Sequence, residues 1–497
     1  MPEGDAGHVT TPKRGHGGHG GRWLRRSTTA LVVLVLVAAL ATYEFDLGAR
    51  WFGFDYPSPV TDPAKVLPPA GLTLPAAQQA SSVAPAAPEE AVNSAAVSRA
   101  MARFARAKRF GPHVAIDVAQ LSDGAVVYRH GARLVTPAST MKLLTSVAAL
   151  DALGPDHRFK TEVVATPQSP RIFLVGGGDP LLVGVPSDPD RNYPGRADLD
   201  TLARATVKAL KAVGRSRVRL AYDTSLFTGP AVNPLWPATY IPDDVVSPIS
   251  ALWVDEGREQ SGLASRSVDP AGAAASVFAR ELRSRGIAVV GRPAPGVAPT
   301  DAAGGQPIAQ VAGAPLSQVV QHVLEISDNE GAEVLARQVA VAEGQPASFA
   351  GAARAVLAVL DRLEVDTAGA RVYDGSGLSR LDRLRPDTLL SVLRIASSED
   401  HPGLHTAVAT LPVAGFSGSL AYRFETANPI ALGLVRAKTG TLTGVHGLAG
   451  TVTSRDGAVM TFVAIADRVR EADQLAARAL LDELSAALAA CTCAGTP

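Results

Sequence analysis

Lysine is nearly missing from this chain: eight of its 497 residues are Lys, against thirty-nine Arg. A composition that uses guanidinium wherever a fixed positive charge serves makes each remaining lysine a candidate for chemistry needing an amine that can lose its proton. Net charge is missing too. Forty-seven basic residues balance forty-seven acidic ones, which excludes the basic domain or stripe that nucleic acid requires. Cysteine is reduced to Cys491 and Cys493, in the last seven residues. Two thiols one residue apart build no disulfide framework, and a bridge between them demands a tight turn, so they read as incidental thiols on a frayed tail. No Gly-x-Ser-x-Gly elbow occurs, which leaves an α/β-hydrolase without support. No Gly-Lys-Ser/Thr follows Gly176-Gly177-Gly178, so a tight strand-to-loop turn replaces a phosphate loop. His8, His16 and His19 lie among glycines, where no preformed metal site exists; no metal cluster is expected.

The length exceeds one ordinary domain. Ala30–Ala41 is unbroken apolar sequence, and residues 27–45 reach the short end of a membrane span. Lys13, Arg14, Arg22, Arg25 and Arg26 precede it, and Glu44 and Asp46 follow. That bias keeps residues 1–26 in the cytoplasm and exports the rest on a single-pass anchor. Ala39-Leu40-Ala41 offers a small-residue cleavage site, and with it the alternative of a protein secreted after cleavage near Ala41. Residues 46–93 read as a stalk, with eight prolines between Pro57 and Pro88. As polyproline II at about 3.1 Å per residue, residues 57–90 would span on the order of 100 Å.

Val97, Met101, Phe104 and Lys108 predict a helix over roughly 94–109. His113–Leu121 and Ala125–Arg129 read as a hairpin, and Pro137 with the small residues after it starts a helix to about Leu153. Residues 156–305 change texture. Strands at Arg171–Val175 and Arg217–Tyr222, with a Pro/Trp-bearing segment from Asp223 to Trp253, read as a long inserted, mostly β domain. Helical spacing returns at Leu316, and strands at Arg436–Thr443 and Gly447–Val452. The helix Glu471–Leu488 closes the chain, with Leu475, Leu480, Leu481, Leu484 and Leu488 as its buried stripe. Residues 94–155 and 306–490 thus form one α+β core, an antiparallel sheet flanked by helices, and 491–497 a tail.

Three strings stand out, each the only match to its pattern: Ser139-Thr140-Met141-Lys142 (Ser-x-x-Lys), Ser327-Asp328-Asn329 (Ser-x-Asn) and Lys438-Thr439-Gly440 (Lys-Thr-Gly). Singly, they read as a helix cap with a solvated lysine, a turn and an exposed strand end. Together and in this order they supply what acyl transfer needs: a nucleophile, a base, an acid for the leaving amine and donors for the oxyanion. The i, i+3 spacing sets the nucleophile Ser139 and its base Lys142 on one helix face. The base works if burial and a neighbouring cation, Lys438 being the obvious one, lower its pKa. Ser327 can relay a proton to the leaving nitrogen, and the Asn329 amide can hold Lys142 or a substrate carbonyl. Lys438, Thr439, Gly440 and Thr441 offer charge and hydroxyls to a terminal carboxylate. Backbone N–H groups of Ser139 and Thr441 would form the oxyanion hole. This chemistry needs no cofactor.

From about residue 100 to 490 the chain resembles the penicillin-binding proteins, specifically the class C, type-4 D-alanyl-D-alanine carboxypeptidases. Besides the three strings, the resemblance rests on the long insertion, Gly177-Gly178-Asp179-Pro180, Asp223-Thr224-Ser225-Leu226-Phe227, Asp374-Gly375-Ser376-Gly377-Leu378-Ser379-Arg380 and Leu411-Pro412-Val413-Ala414-Gly415. It implies a transpeptidase-like core in the bacterial cell envelope and peptidoglycan stem peptide as substrate. It further implies removal of terminal D-Ala, with or without cross-link endopeptidase activity, and covalent acylation by β-lactams. By the same resemblance Arg380 lies near the substrate side chain and Asp223 meets the amino group of a diaminopimelate residue, the alternative for Asp223 being a turn residue that closes a strand. The anchor and stalk depart from the secreted members.

Two other readings are weighed against this one. A class A β-lactamase shares the three strings, but its insertion is far shorter, and no Asn occurs between Asn329 and Asn428 to complete a Glu-x-x-Leu-Asn deacylation loop. A non-catalytic β-lactam or wall sensor would pass its signal to a cytoplasmic domain, and the Gly/His-rich first thirty residues hold no foldable core.

Overall fold

The computed structural model describes residues 91–495 apart from 168, 187–192 and 260–263. The expected cytoplasmic tail, membrane segment and most of the stalk lie outside the described residues. Among the described residues no helix is long and apolar enough to cross a membrane.

Helix α1 (Ser94–Met101) is shorter than its periodicity suggested. Phe104 and Phe110 are both buried, yet six residues along a helix point to different sides, so the chain leaves the helix to bury both. Strands β1 (Val114–Gln120) and β2 (Val126–Gly131) form the expected hairpin. A 3-10 turn, Ala138–Thr140, then feeds α2 (Met141–Leu153).

The insertion builds a second sheet from β3 (Lys160–Ala165), β4 (Arg171–Val175), β5 (Arg217–Asp223), β6 (Ala288–Val289), β7 (Ala294–Pro295) and β8 (Gln306–Ala312). Its last strand lies beyond the expected boundary at 305. Alongside the strands it carries α3 (Leu199–Ala212) and α4 (Pro270–Ser284). Leu199, Leu202, Ala203, Val207 and Leu210 recur at helical spacing and fill a separate apolar core with Ala274, Phe278 and Leu282 of α4.

Most of residues 224–254 leave that sheet, and only the end of the segment returns to it: Leu252 and Val254 pack in the insertion's apolar core, and the Ala251 carbonyl accepts Gly178 N at 2.9 Å. Arg337, on a core helix, donates to the carbonyls of Thr228 and Pro230 at 3.0 Å each, and its guanidinium lies 4.4 Å from the Phe349 ring centre. Asn233 Nδ2 donates to the Tyr373 carbonyl at 2.8 Å, and Trp236 Nε1 to Asp374 Oδ2 at 2.7 Å. A buried guanidinium with several fixed acceptors clasps the loop to the core.

The catalytic half continues through α5 (Leu316–Glu325), α6 (Asn329–Ala342), α7 (Phe349–Arg362) and α8 (Pro386–Ile395), then β9 (Val435–Leu442), β10 (Val445–Thr453), β11 (Val459–Ala466) and α9 (Gln474–Ala489). The antiparallel order β2-β1-β11-β10-β9 brings the chain's first and last strands together. Alternate residues serve opposite faces: Val463 and Ile465 pack with α2 and α5–α8, while Phe462, Ala464 and Ala466 pack with α1 and α9. Strand β9 is left at the edge.

Two expectations for the C-terminus are corrected. Leu475 is 82% exposed, whereas Leu481, Leu484 and Leu488 are buried with Ala477; that spacing defines the stripe, and Leu475 falls on the far side of it. The tail is not frayed. Cys491 and Cys493 are joined in a disulfide, Cys493 is fully buried, and Asn93 N donates to its carbonyl at 2.8 Å. Residues 493–495 pair with residues 91–93. Leu484→Ala should therefore cost about 2–5 kcal/mol in denaturant unfolding and Leu475→Ala no more than about 0.5 kcal/mol; equal costs would contradict the assigned face.

Candidate active site

Ser139 sits in the 3-10 turn ahead of α2, with Lys142 one turn on. Ala138 just before it has φ +46°, a conformation that costs a non-glycine residue on the order of 1–3 kcal/mol. Thr140 Oγ1 holds the turn by donating to the Pro137 carbonyl at 2.8 Å.

Lys142 is fully buried, and three oxygens surround its amine: Ser139 Oγ at 2.9 Å, Asn329 Oδ1 at 2.8 Å and the Ser376 carbonyl at 2.8 Å. An ammonium donates to all three. A neutral amine has two hydrogens and one lone pair. Asn329 Oδ1 and the carbonyl can only accept, so they take the hydrogens and the lone pair is left facing the Ser139 hydroxyl. Burial lowers the Lys142 pKa to about 8, against the opposing pull of Asp328, Asp374, Glu333 and Glu330. Burial is the leading cause of the depression, and the repulsion between Lys142 and Lys438 is mutual. Lys438, itself fully buried, is pushed well below its ordinary value by burial and then by the charge of Lys142.

Asn329 opens α6, and its Nδ2 donates to the Val245 carbonyl at 3.0 Å. Both ends of the amide are therefore used, one on Lys142 and one on the clasped loop. Ser327, half-buried with φ +64°, occupies the turn between α5 and α6.

Lys438, Thr439, Gly440 and Thr441 lie on edge strand β9, opposite Ala449, Leu448, Gly447 and His446 of β10. A Cβ on Gly440 would stand 2.8 Å from the Pro137 carbonyl oxygen and 3.2 Å from Thr140 Cγ2. Only glycine lets this strand press on the nucleophile turn. Lys438 Nζ donates to the Thr439 carbonyl at 3.2 Å, and Thr439 Oγ1 donates to Ser419 Oγ at 3.0 Å.

Arg380 is exposed at the far end of this strand, donating to the Thr443 carbonyl at 2.7 Å, and shares a hydrogen bond with Tyr240. Asp223 ends β5 in the insertion. Its carboxylate accepts Ser225 N at 2.8 Å and Ala298 N at 2.6 Å, the arrangement of a strand-closing residue.

Sequence reading passed over the acidic floor. Glu333 accepts from Gly375 N at 3.0 Å and Ser376 N at 2.8 Å, which fixes the carbonyl that Lys142 uses. Asp374 accepts from Gly377 N at 2.7 Å and Ser379 N at 2.6 Å. Burial, then Asp374, pushes the Glu333 carboxyl up to about 7. The signal was present: Glu333 lies four residues after Asn329, on the same face of a helix whose charged side chains are buried.

The family model described as D-Ala-D-Ala carboxypeptidase 3 (S13) matches residues 97–267 and 258–488. The carboxypeptidase DacB of Mycolicibacterium smegmatis is 34% identical over 481 residues, covering 95% of this chain and 99% of that protein. A D-alanyl-D-alanine carboxypeptidase of Actinomadura is 31% identical over 428 residues, 69% and 75% of the two chains. The crystal structure of penicillin binding protein 4 (dacB) from Haemophilus influenzae shares the fold, with TM-score 0.63 at 23% identity, over 79% of this chain and 98% of its own. A second structure of that protein, TM-score 0.57, is a complex with a β-lactam.

Eight lysines give a sparse spectrum. In a carbon-13 titration of labelled lysines, Lys142 should show a midpoint near pH 8 and Lys438 one below its ordinary 10.5; two midpoints near 10.5 would contradict the buried-amine geometry.

Proposed function

Because the chain belongs to the D-Ala-D-Ala carboxypeptidase 3 (S13) family, we propose that it is a serine DD-peptidase in which Ser139 attacks the carbonyl of the penultimate D-alanine of a peptidoglycan stem peptide. Neutral Lys142 takes the Ser139 proton as the Oγ–carbon bond forms. At pH 7 a group of pKa about 8 is neutral in roughly a tenth of molecules, enough for a base regenerated in every cycle. The oxyanion forms against the backbone N–H groups of Ser139 and Thr441. As the carbon–nitrogen bond breaks, the proton passes from Lys142 through Ser327 to the leaving D-alanine. Water then attacks the acyl-enzyme, Lys142 again accepts the proton, and it returns that proton to Ser139 Oγ as the carbon–oxygen bond breaks.

The terminal carboxylate of the substrate meets Lys438, Thr439 and Thr441 on the open edge of β9. Arg380 and Tyr240 stand where that strand ends and flank the substrate's side chain. Asp223 closes its strand with one backbone N–H on each oxygen and keeps further lone pairs for the amino group of a diaminopimelate residue. β-Lactams acylate the same Ser139 and leave it slowly. The observation that carries this reading is the Lys142 amine, 2.9 Å from Ser139 Oγ and depressed to about 8.

The unit acts outside the cytoplasm, in the cell envelope. The basic residues before residue 27 and the acidic pair after residue 43 support a membrane anchor with the N-terminus inside, carrying the unit on its Pro/Ala-rich stalk. Hydrolysis of cross-links is a second activity of this site if the edge of β9 admits a leaving group larger than D-alanine.

Release of D-alanine from a peptidoglycan pentapeptide should occur with wild type and not with Ser139→Ala; release by both would overturn the assignment. Gly440→Ala, which forces β9 off the nucleophile turn, should slow β-lactam acylation on the order of 100-fold, and a rate equal to wild type would contradict the role given to that contact.

A further inference from the structure

Three buried side chains that the reaction does not use converge beneath the Ser327-Asp328-Asn329 turn. Glu256 comes from a stretch of left-handed backbone in the insertion, His322 from α5, and Asp328 from the cap of α6. One ligand atom of each lies within 4.8 Å of the other two. His322 Nε2 is 3.7 Å from Glu256 Oε1 and 3.8 Å from Asp328 Oδ2, beyond hydrogen-bond reach. His322 Nε2 and Asp328 Oδ2 have no hydrogen-bond partner although their side chains are only 9% and 2% exposed. Buried polar atoms left unpaired are expensive, and in native proteins each has a reason.

The spacing supplies one. A tetrahedral ion with bonds of about 2.0–2.2 Å sets its ligand atoms about 3.4 Å apart, a small contraction from the 3.7 and 3.8 Å between His322 and the two carboxylates. One imidazole nitrogen and two carboxylate oxygens form a donor set that zinc and its neighbours accept. The space is kept open by Gly331, where a Cβ would stand 2.4 Å from Asp328 Oδ2. The surrounding charges leave room for the ion. Arg258 Nη2 engages Glu256 Oε2 at 3.1 Å, so Oε1 remains available, with Arg196 3.9 Å from it, and Arg266 is taken by Glu330 at 2.9 Å.

We propose that Glu256, His322 and Asp328 bind one divalent transition-metal ion of the zinc class. The ion ties the insertion to the catalytic turn: it fixes Asp328, and through it the backbone that presents Ser327 and Asn329. The role is positional, and no step of the acyl transfer passes through the metal.

The test uses the full chain, stripped with EDTA, dialysed and titrated with Zn2+ by calorimetry, with bound metal counted by elemental analysis and thermal unfolding followed in parallel. Wild type should bind one Zn2+ at this site and unfold at higher temperature with it. His322→Gln and Glu256→Gln, checked for folding by circular dichroism, should each lose affinity by more than the roughly 10–100-fold that loss of an outer-shell partner costs. Failure of the wild type to retain zinc would overturn the proposal whatever the variants do. Zinc bound equally by wild type and both folded variants would overturn it too, and would place the ion elsewhere, the histidines of the N-terminal tail included.

Discussion

The structure of this site depends on keeping one amine dry. Burying an ammonium is costly, and the fold offsets the cost with three oxygens around Lys142 while burial itself favours proton loss. Each oxygen comes from a different element: the turn before α2, the start of α6, and the loop at 374–379. The separation in sequence between these elements is bridged by packing. Helices α2 and α6 share one apolar core, so the amine's environment is set by close-packed side chains and the reacting atoms inherit their rigidity.

The floor beneath the amine is acidic, and its charge works against the base. Asp328, Asp374, Glu333 and Glu330 all raise the Lys142 pKa. Burial pushes all four carboxyls up, Glu333 to about 7 and Glu330 to about 8, so near neutral pH Glu333 and Glu330 are partly protonated and pull less. What remains of the charge on Glu333 and Asp374 is spent on backbone N–H groups at Gly375, Ser376, Gly377 and Ser379. These two carboxyls therefore shape the loop that holds Lys142 more than they neutralise it.

Much of this could be read from residues in a line. Ser139 and Lys142 lie one helical turn apart and the Lys-Thr-Gly string lies on a strand; strand β11 was passed over, although its near-continuous apolar run marks a strand buried on both faces. Features made by distant residues could not be read. The 224–254 loop looked like part of the insertion because its prolines and tryptophans say only that it is irregular; its allegiance is decided by Arg337 and Asp374, more than a hundred residues away. Leu475 was misplaced because a run of leucines fits more than one phase of a helix and only the packed partner selects one. The ordering of residues 493–495 comes from their pairing with residues 91–93, about four hundred residues earlier. Glu256 and His322 carry no spacing that links them.

The most direct measurement of the central claim is the pH dependence of Ser139 acylation, followed by stopped-flow with a chromogenic β-lactam from pH 6 to 10. If a neutral amine takes the Ser139 proton, the wild-type rate rises about tenfold per pH unit below about 8 and levels above it, because the lowered pKa of Lys142 makes the active form grow with pH until the amine is fully deprotonated. A rate independent of pH across that range would contradict the account and leave Lys142 as a fixed charge.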